Sequence, residues 1–422
     1  MLRSLLKLST AAATVSRRYQ LGPTSLKSSL LTASPPLSRL FHSEINGATA
    51  NPVALQMIDY ALSLDRSQKS DESHAQAMLV LEQCSLSYSS ESQDTVTQNC
   101  KGMALLAMSS LLSRRGNYDD AMGKLHEVQD LKLSSLFVRV AAMEALVGLN
   151  LELGRDDTSS VLANKCLEIL ESEEFKSSGV DFDVAHARGK AVKGLVELVL
   201  GNLESAESYF QGFEESKACV GTAALSYGEF LHATQNFQSA KDLYQKVIKR
   251  MTEKNEFSDI HAVAACNMNT HEVLLAANCA LGQLEAHMGN FGDAEETLTR
   301  GLSKAEHYFD SRHPKVGIVL ICLALMFRSK AIQDGLYRRA IELLKAPPLE
   351  LEESRSDIIS LARGGYGEVL CIQENRRSEG EKMKKWAEAT WRNGRLSLSE
   401  ALKFTESSKK VPVIDTRIGR AL

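Results

Sequence analysis

The segment LGQLEAHMGNFGDAEETL, residues 281–298, contains the pattern that decides the fold. Gly289 is followed by an asparagine and an aromatic residue, Ala294 comes five residues after the glycine, and Leu298 comes four residues later. Two antiparallel helices joined by a tight turn need a turn residue that tolerates positive φ, most often glycine. Only a small side chain fits where the helices approach most closely, and a large apolar residue one turn later fills the remaining space. The segment therefore predicts a helix hairpin that turns at Gly289.

The same pattern recurs along the chain, which indicates a repeat rather than a single hairpin. A hairpin of this size is too small to bury its own apolar face, so each copy must stack on its neighbours. The sequence therefore predicts an all-α array of stacked helix hairpins. The further copies, each given as turn residue, alanine and large apolar residue, are Gly116 with Ala121 and Leu125, Gly201 with Ala206 and Phe210, Gln235 with Ala240 and Tyr244, and more loosely Gly335 with Ala340 and Leu344.

The pattern resembles the tetratricopeptide repeat, because matching first helices precede the turns, as at Tyr227-Gly228 and Leu281-Gly282. Near His313-Pro314 the sequence is similar to the kinesin-light-chain branch of that family, whose repeats are longer. The resemblance implies a right-handed superhelical solenoid. We expect the array to cover residues 50–345, with a C-terminal helical hairpin or cap at 354–405 and a tail at 406–422.

A peptide groove is implied by the same resemblance, since the first helices of tetratricopeptide arrays line a concave surface that receives a peptide or helix. Members that bind chaperone tails use lysine and asparagine there to clamp a terminal carboxylate, and none of the corresponding residues here is of either type. We expect an apolar to neutral groove, although the same residues could instead pack against the neighbouring hairpin. The predicted groove residues are Met103, Leu106, Ser110, Thr222, Leu225, Glu229, Ala276, Cys279 and Gln283.

The N-terminal segment has the composition of a transit peptide. No acidic residue precedes Glu44, serine and leucine are abundant, and Leu2, Leu5 and Leu6 can share one helix face. Arg39-Leu40-Phe41 resembles the plant-type mitochondrial processing site, which predicts that residues 1–41 are removed. A chloroplast address and a retained basic N-terminus are the alternatives. The basic residues of the segment are Arg3, Lys7, Arg17, Arg18, Lys27 and Arg39.

Charge and motifs exclude several classes of function. Removing the N-terminal segment takes away six basic residues and no acidic one, so the formal net charge changes from −4 to −10, which disfavours nucleic-acid binding. The sequence lacks a phosphate-binding loop, and His271-Glu272 lacks the second histidine of a zinc-protease helix. The eight cysteines include no C-x-x-C pair, and the apolar run Val316–Phe327 is too short to span a membrane. We expect a non-enzymatic protein without a cofactor or a metal.

A basic segment near the C-terminus contains both tryptophans, Trp386 and Trp391. It is either a solvated capping helix with one buried tryptophan or a docking face for an acidic protein or an anionic membrane surface. The residues of the predicted basic face are Arg376, Arg377, Lys384, Lys385, Arg392 and Arg395.

These features favour a protein-protein interaction scaffold, and we expect an assembly or quality-control factor for a mitochondrial complex. The partner is a protein or peptide, and peripheral contact with a membrane is compatible with the sequence. An organellar RNA-binding helical-repeat protein is the first alternative, although its steady period and basic body are missing here. A cargo or chaperone adaptor is the second.

We predict that residues 1–45 fused to a fluorescent protein enter mitochondria and that the mature chain begins at His42. The reason is the basic, acid-free, amphipathic start that import receptors recognise. Microscopy checks the compartment and N-terminal sequencing of the purified protein checks the cleavage site. A diffuse cytosolic signal, indistinguishable from that of the fluorescent protein alone, would contradict the prediction.

Overall fold

The computed structural model describes residues 50–88, 94–172, 180–253, 263–349, 356–403 and 410–422. Residues 1–41, the predicted transit peptide, lie outside this range. The described residues form one array of helices followed by a short β-hairpin. The helices are α1 Pro52–Gln68, α2 Asp71–Ser87, α3 Thr95–Arg114, α4 Tyr118–Gln129, α5 Leu136–Glu152, α6 Asp156–Glu171, α7 Val180–Leu200, α8 Leu203–Phe210, α9 Thr222–Ala233, α10 Phe237–Glu253, α11 Thr270–His287, α12 Phe291–Tyr308, α13 Pro314–Met326, α14 Lys330–Leu343, α15 Asp357–Cys371, α16 Arg377–Thr390 and α17 Leu398–Leu402.

The predicted turns have a common backbone geometry. Gly289 has φ 85° and Gln235 has φ 68°, and the amide of the following asparagine donates to a carbonyl five residues earlier, as from Asn290 to Glu285. This hydrogen bond is the one that ends a helix in the Schellman motif. The Asn290 side chain also donates to the Glu285 carboxylate at 2.7 Å, and Asn202 makes the same contact with Glu197 at 2.9 Å.

Close packing across the hairpins follows the predicted alanine pattern. Ala240 and Ala294 are fully buried, as are the large residues Tyr244 and Leu298 one turn later. On the opposite helix, Gly282 leaves the space that the Leu298 side chain occupies. The spacing read from the sequence therefore describes the contact between paired helices.

The turn predicted at Gly335 is wrong. Helix α13 ends at Met326 and α14 begins at Lys330, so the turn comes earlier and Gly335 lies inside α14. Gly335 has open space around it, so neither backbone conformation nor close packing requires a glycine there. Ala340 and Leu344, the alanine and the large apolar residue of this copy, still pack inward. The four-residue spacing between them places both on the same side, whatever their distance from the turn.

Successive helices pair into hairpins from α1–α2 to α15–α16, and the first helices of neighbouring hairpins also pack on each other. The first helices therefore form a continuous inner layer, and the second helices pack outside it. Helices α9, α11 and α13 are buried almost all round, whereas α10 buries only a stripe of Ala240, Tyr244 and Val247. The structure is an all-α array of antiparallel helix hairpins, as the sequence predicts.

The array curves enough to bring distant hairpins into contact. Arg114 at the end of α3 donates to the hydroxyl of Tyr308 at the end of α12, at 2.7 Å. The Arg114 carbonyl lies 3.1 Å from Nε2 of His313, and Gly201 lies against Gly394. Among the described helices, none is long and apolar enough to cross a bilayer.

The last described residues do not extend from the array as a separate tail. Strands β1 Ile414–Asp415 and β2 Arg420–Ala421 pair antiparallel, with Ile414 opposite Ala421 and Asp415 opposite Arg420. Every residue from 411 to 422 is buried. We call residues 411–422 the inner hairpin.

We predict that Gly282→Ala destabilises the protein by about 1–3 kcal/mol, because the new methyl group would lie 2.6 Å from Cγ of Leu298. The matched control is Gly335→Ala, which is expected to stabilise it by about 0.5–1 kcal/mol because alanine is the better helix former. Denaturant unfolding of both variants measures the two changes. Equal effects of the two substitutions would contradict this account of the hairpin packing.

Candidate functional site on the inner face of the array

Two segments of the chain lie against the inner layer of first helices. One is residues 263–269, which connect α10 to α11, and the other is the inner hairpin. Their contacts reach residues on α3, α5, α7, α9, α11, α13 and α15. The inner face is therefore filled by the chain itself, and the contacts show what this surface recognises.

Arg417 is the centre of the inner hairpin. Its side chain is completely buried and its Nη2 lies 2.5 Å from Oε2 of Glu229 and 2.8 Å from Oδ2 of Asp415. It also donates to the hydroxyl of Ser226 at 3.2 Å. Burial lowers the pKa of Arg417, but Asp415 and Glu229 outweigh it and the pKa rises above its ordinary value. The guanidinium is therefore a buried, charged group with two carboxylate partners.

The main chain of the inner hairpin is bound by two side chains from different helices. Gln283 on α11 accepts from the amide of Ile414 at 2.8 Å and donates to the Ile414 carbonyl at 2.9 Å. Lys315 on α13 donates to the carbonyls of Thr416 and Arg417. Gln283 thus takes the place of a neighbouring strand, and Lys315 fixes the turn of the hairpin.

Two arginines hold the terminal residues of the inner hairpin in place, one from within the hairpin and one from outside it. Arg420 donates to Asp357 at 2.6 Å and, through both terminal nitrogens, to Asp156 at 2.8 and 3.0 Å. Arg395, outside the hairpin, donates to the carbonyls of Val411 and Leu422. Burial lowers the pKa of Arg395 to about 10. The hairpin is therefore held by named side chains along its whole length.

The segment 263–269 covers the inner face beside α3 and α5. The amide of Cys266 donates to the Ser110 hydroxyl at 2.8 Å, and Asn267 donates to Glu152 at 3.0 Å. Cys266 has φ 52°, a region that non-glycine residues enter at a cost and that surrounding contacts must stabilise. Asn269 caps α11 by accepting from the amides of His271 and Glu272.

A small polar cavity of about 20 Å³ lies where this segment meets α3, α11 and α13. The volume is sufficient for about one water molecule. Lys315 lies 3.1 Å from Glu152 and 3.8 Å from Glu272, and Oε2 of Glu272 has no hydrogen-bond partner among the described residues. Burial raises the pKa of Glu272 to about 7, against the opposing charge of Lys315. His313, also lining the cavity, is kept neutral because burial lowers its pKa to about 4.

The structure places the predicted groove residues on or near this inner face. Three of them contact the inner hairpin, namely Glu229, Cys279 and Gln283. Ser110 contacts the segment 263–269, and Thr222 donates to Glu144 at 3.0 Å. The others contribute apolar contacts: Leu106, Leu225 and Ala276 are buried, and Met103 is partly buried.

The predicted basic face is divided between surface and interior. Arg376 pairs with Glu379 and Asp334, Arg377 pairs with Glu381, and Lys385 and Arg392 are exposed. The stem of Lys384 packs beside Gly367. Arg395 is buried under the inner hairpin and does not share the surface of the other five. Trp386 is buried, and Cζ of Arg363 lies 3.9 Å from the centroid of the Trp386 ring. Trp391 donates to the carbonyl of Leu396.

Several functional residues were not found by sequence reasoning. Lys315, Asp357, Arg417 and Arg420 have polar partners that are distant in sequence. The one local signal was Gly419 between two short runs in VPVIDTRIGRAL, residues 411–422, because a loop of a few residues that contains glycine is typical of a hairpin. Within the described ranges, no group of three or more acidic, histidine or cysteine side chains is arranged to hold a metal ion.

Comparison with known proteins does not assign the chain to a family. No protein-family model matches the sequence, and no curated protein matches it. Among solved structures, the chain is similar to yeast Tom70, with 13% sequence identity and a TM-score of 0.30 over 83% of this chain and 95% of that chain. A similarity at this level supports no structural or functional argument, so the fold rests on the observed helix packing.

We predict that the Glu272 carboxyl lowers the stability of the protein as the pH rises from about 4.5 to about 7. In this window the folded carboxyl keeps a proton that the unfolded one has lost, so its contribution is complete below the window and lost above it. Glu272→Gln removes the titration. Its free energy of unfolding should therefore rise relative to wild type across the window, by up to about 3 kcal/mol.

Denaturant unfolding of both proteins between pH 4 and 8 gives this difference. His313 acts in the opposite direction, because its lowered pKa makes the folded protein bind fewer protons, but it is present in both proteins and cancels. Glu82→Gln, at an exposed position on α2, is the matched control. If the free energy of unfolding changed with pH in the same way in wild type and in Glu272→Gln, the prediction would be contradicted.

Proposed function

We propose that the chain is a non-enzymatic protein-interaction scaffold of the mitochondrial matrix or the matrix face of the inner membrane. Its role is the assembly or quality control of a mitochondrial complex. The single observation that supports this most is that the inner layer of helices holds a stretch of polypeptide through its main chain and its charged side chains. A surface with this chemistry is suited to recognising protein segments.

The site chemistry favours recognition over catalysis. The charged side chains of the inner face are used in fixed pairs, such as Arg188 with Glu144 and Arg420 with Asp357. Burial raises the pKa of the Cys266 thiol to about 12, so it is not activated as a nucleophile. The cavity beside it has room for about one water molecule and not for a substrate.

Binding of RNA receives no support from the same residues. Arg188, Lys315 and Arg417 are each buried against carboxylates, so these cations of the inner face are not presented to a phosphate backbone. The formal net charge of −10 after loss of residues 1–41 acts in the same direction. The mitochondrial address rests on the composition of those residues and on the resemblance of Arg39-Leu40-Phe41 to a processing site.

The surface available to a larger partner includes the exposed part of the predicted basic face on and after α16. Arg377, Lys385 and Arg392 are exposed there, and Trp386 on α16 packs against the Arg363 guanidinium of α15. Exposed arginine and lysine side chains favour an acidic protein surface or an anionic membrane. We propose this face as the external docking site of the scaffold.

We predict that the mature protein, purified by affinity from mitochondria, retains a stable protein partner after nuclease treatment. Reversal of charge at Arg377, Lys385 and Arg392 to glutamate should reduce the recovered partner by about tenfold, because rim charges mainly determine encounter and orientation. The matched control is Lys246→Glu with Lys249→Glu, at exposed positions on α10. Quantitative mass spectrometry measures the recovery. Capture of RNA without any stable protein would overturn the scaffold function, and equal loss in the control would remove the assignment to the basic face.

A further inference from the structure

The inner hairpin is a self-contained element. Within the part of the chain that the structure describes, its two strands pair with each other and with no third strand. Val413 and Leu422 exchange main-chain hydrogen bonds at 3.3 and 2.7 Å, outside the pair Ile414 and Ala421. The turn is closed by the Gly419 amide, which donates to the Asp415 carbonyl at 2.9 Å. It is also closed by the Asp415 side chain, which accepts from the amide of Arg417 at 2.8 Å. The strand pairing and the turn of the hairpin therefore use hydrogen bonds made within residues 411–422.

The array contributes side chains, not a helix or strand that continues into the hairpin. Gln283 and Lys315 bind its main chain, while Glu229 and Asp357 bind its arginines. Main-chain bonds supply affinity and side-chain bonds supply selectivity in the known modes of peptide recognition. The array therefore contacts the hairpin in the way that a receptor contacts a bound peptide.

The charges of the two parts are complementary. Glu229, buried on α9, has Arg417 as its cation, and Asp357 at the start of α15 has Arg420. A buried carboxylate without its cation is strongly unfavourable, so a segment without arginines at these two positions would bind much more weakly. The spacing Asp415-Thr416-Arg417 with Arg420 defines what the surface accepts.

We propose that the inner face is a peptide-binding site whose ligand is the inner hairpin of this chain, bound in cis. The site accepts a β-hairpin that presents an aspartate, an arginine two residues later and a second arginine after the turn. A partner protein that carries this arrangement competes with residues 411–422 for the same side chains. This inference rests on the proposed scaffold function and deepens it, because it assigns a ligand to the inner face.

The test uses the full chain with a protease recognition sequence placed between Lys403 and Lys410, cut after the protein has folded. The inner hairpin then remains as a separate peptide held only by the contacts described. A labelled peptide of residues 410–422 is added in excess. We expect the original peptide to stay bound through gel filtration, to exchange with the labelled one, and to leave the helical circular dichroism unchanged.

Competition with variant peptides tests the specificity. The Arg417→Ala peptide should compete about a hundredfold less well, because it leaves Glu229 buried and unpaired. The Lys410→Ala peptide is the comparison and should lose less than about fivefold. Lys410 is exposed, pairs with Glu400 at the surface and donates one hydrogen bond to the Arg395 carbonyl, and its loss leaves no buried carboxylate without a cation.

Three results would overturn the inference. The first is loss of helical signal whenever the cut peptide leaves, which would make the hairpin an inseparable part of the folded core. The second is release of the peptide without binding of the labelled one, and the third is equal competition by the Arg417→Ala peptide. None of these results affects the recovery of partners from mitochondria, so failure here is distinct from failure of the scaffold function.

Discussion

Charged groups in the interior must be paired, and this constraint organises the middle of the structure. Several first helices, α9, α11 and α13 among them, are buried on nearly all sides. The first helices nevertheless carry Glu144, Glu229, Glu272 and Asp357 in the interior. A buried charge without a partner costs several kcal/mol. Arg188 and Lys315 from neighbouring first helices supply two of the cations. The other two cations, Arg417 and Arg420, come from the inner hairpin. The array thus supplies carboxylates and the hairpin supplies the arginines that pair with them.

This pairing changes the mechanics expected of a helical-repeat protein. In an ordinary solenoid each repeat contacts only its neighbours, so stability is a sum of local terms. Here Arg420 contacts both Asp156, which follows the turn of the third hairpin, and Asp357, which lies in the eighth hairpin. Arg114 and Tyr308 join the second hairpin to the sixth. Such contacts link repeats that are distant in sequence, in addition to the links between neighbouring repeats.

The sequence predicted the parts of the fold that depend on local spacing. The turn at Gly289 and the packing of Ala294 against the opposite helix follow from residues within one hairpin, and they were found. The turn predicted at Gly335 was wrong because a glycine at an exposed helix position has the same spacing to Ala340 as a turn glycine would have. A short-range pattern shows which helices pair, but it does not distinguish a required glycine from a tolerated one.

The filling of the inner face could not be predicted in the same way. Gln283 was identified as a groove residue because it lies on the inner side of a first helix, but its partner Ile414 is 131 residues away. Nothing in the local sequence around either residue specifies the other. A groove inferred from repeat geometry is therefore a statement about which side chains face inward, not about whether the surface is open. In this chain the inward carboxyls at positions 229 and 357 pair with arginines of the inner hairpin, and burial still raises the pKa of both carboxyls despite those arginines. Any external ligand of the inner face must compete with the inner hairpin, which already supplies Arg417 and Arg420. Such a ligand must therefore supply two positive charges at the same places.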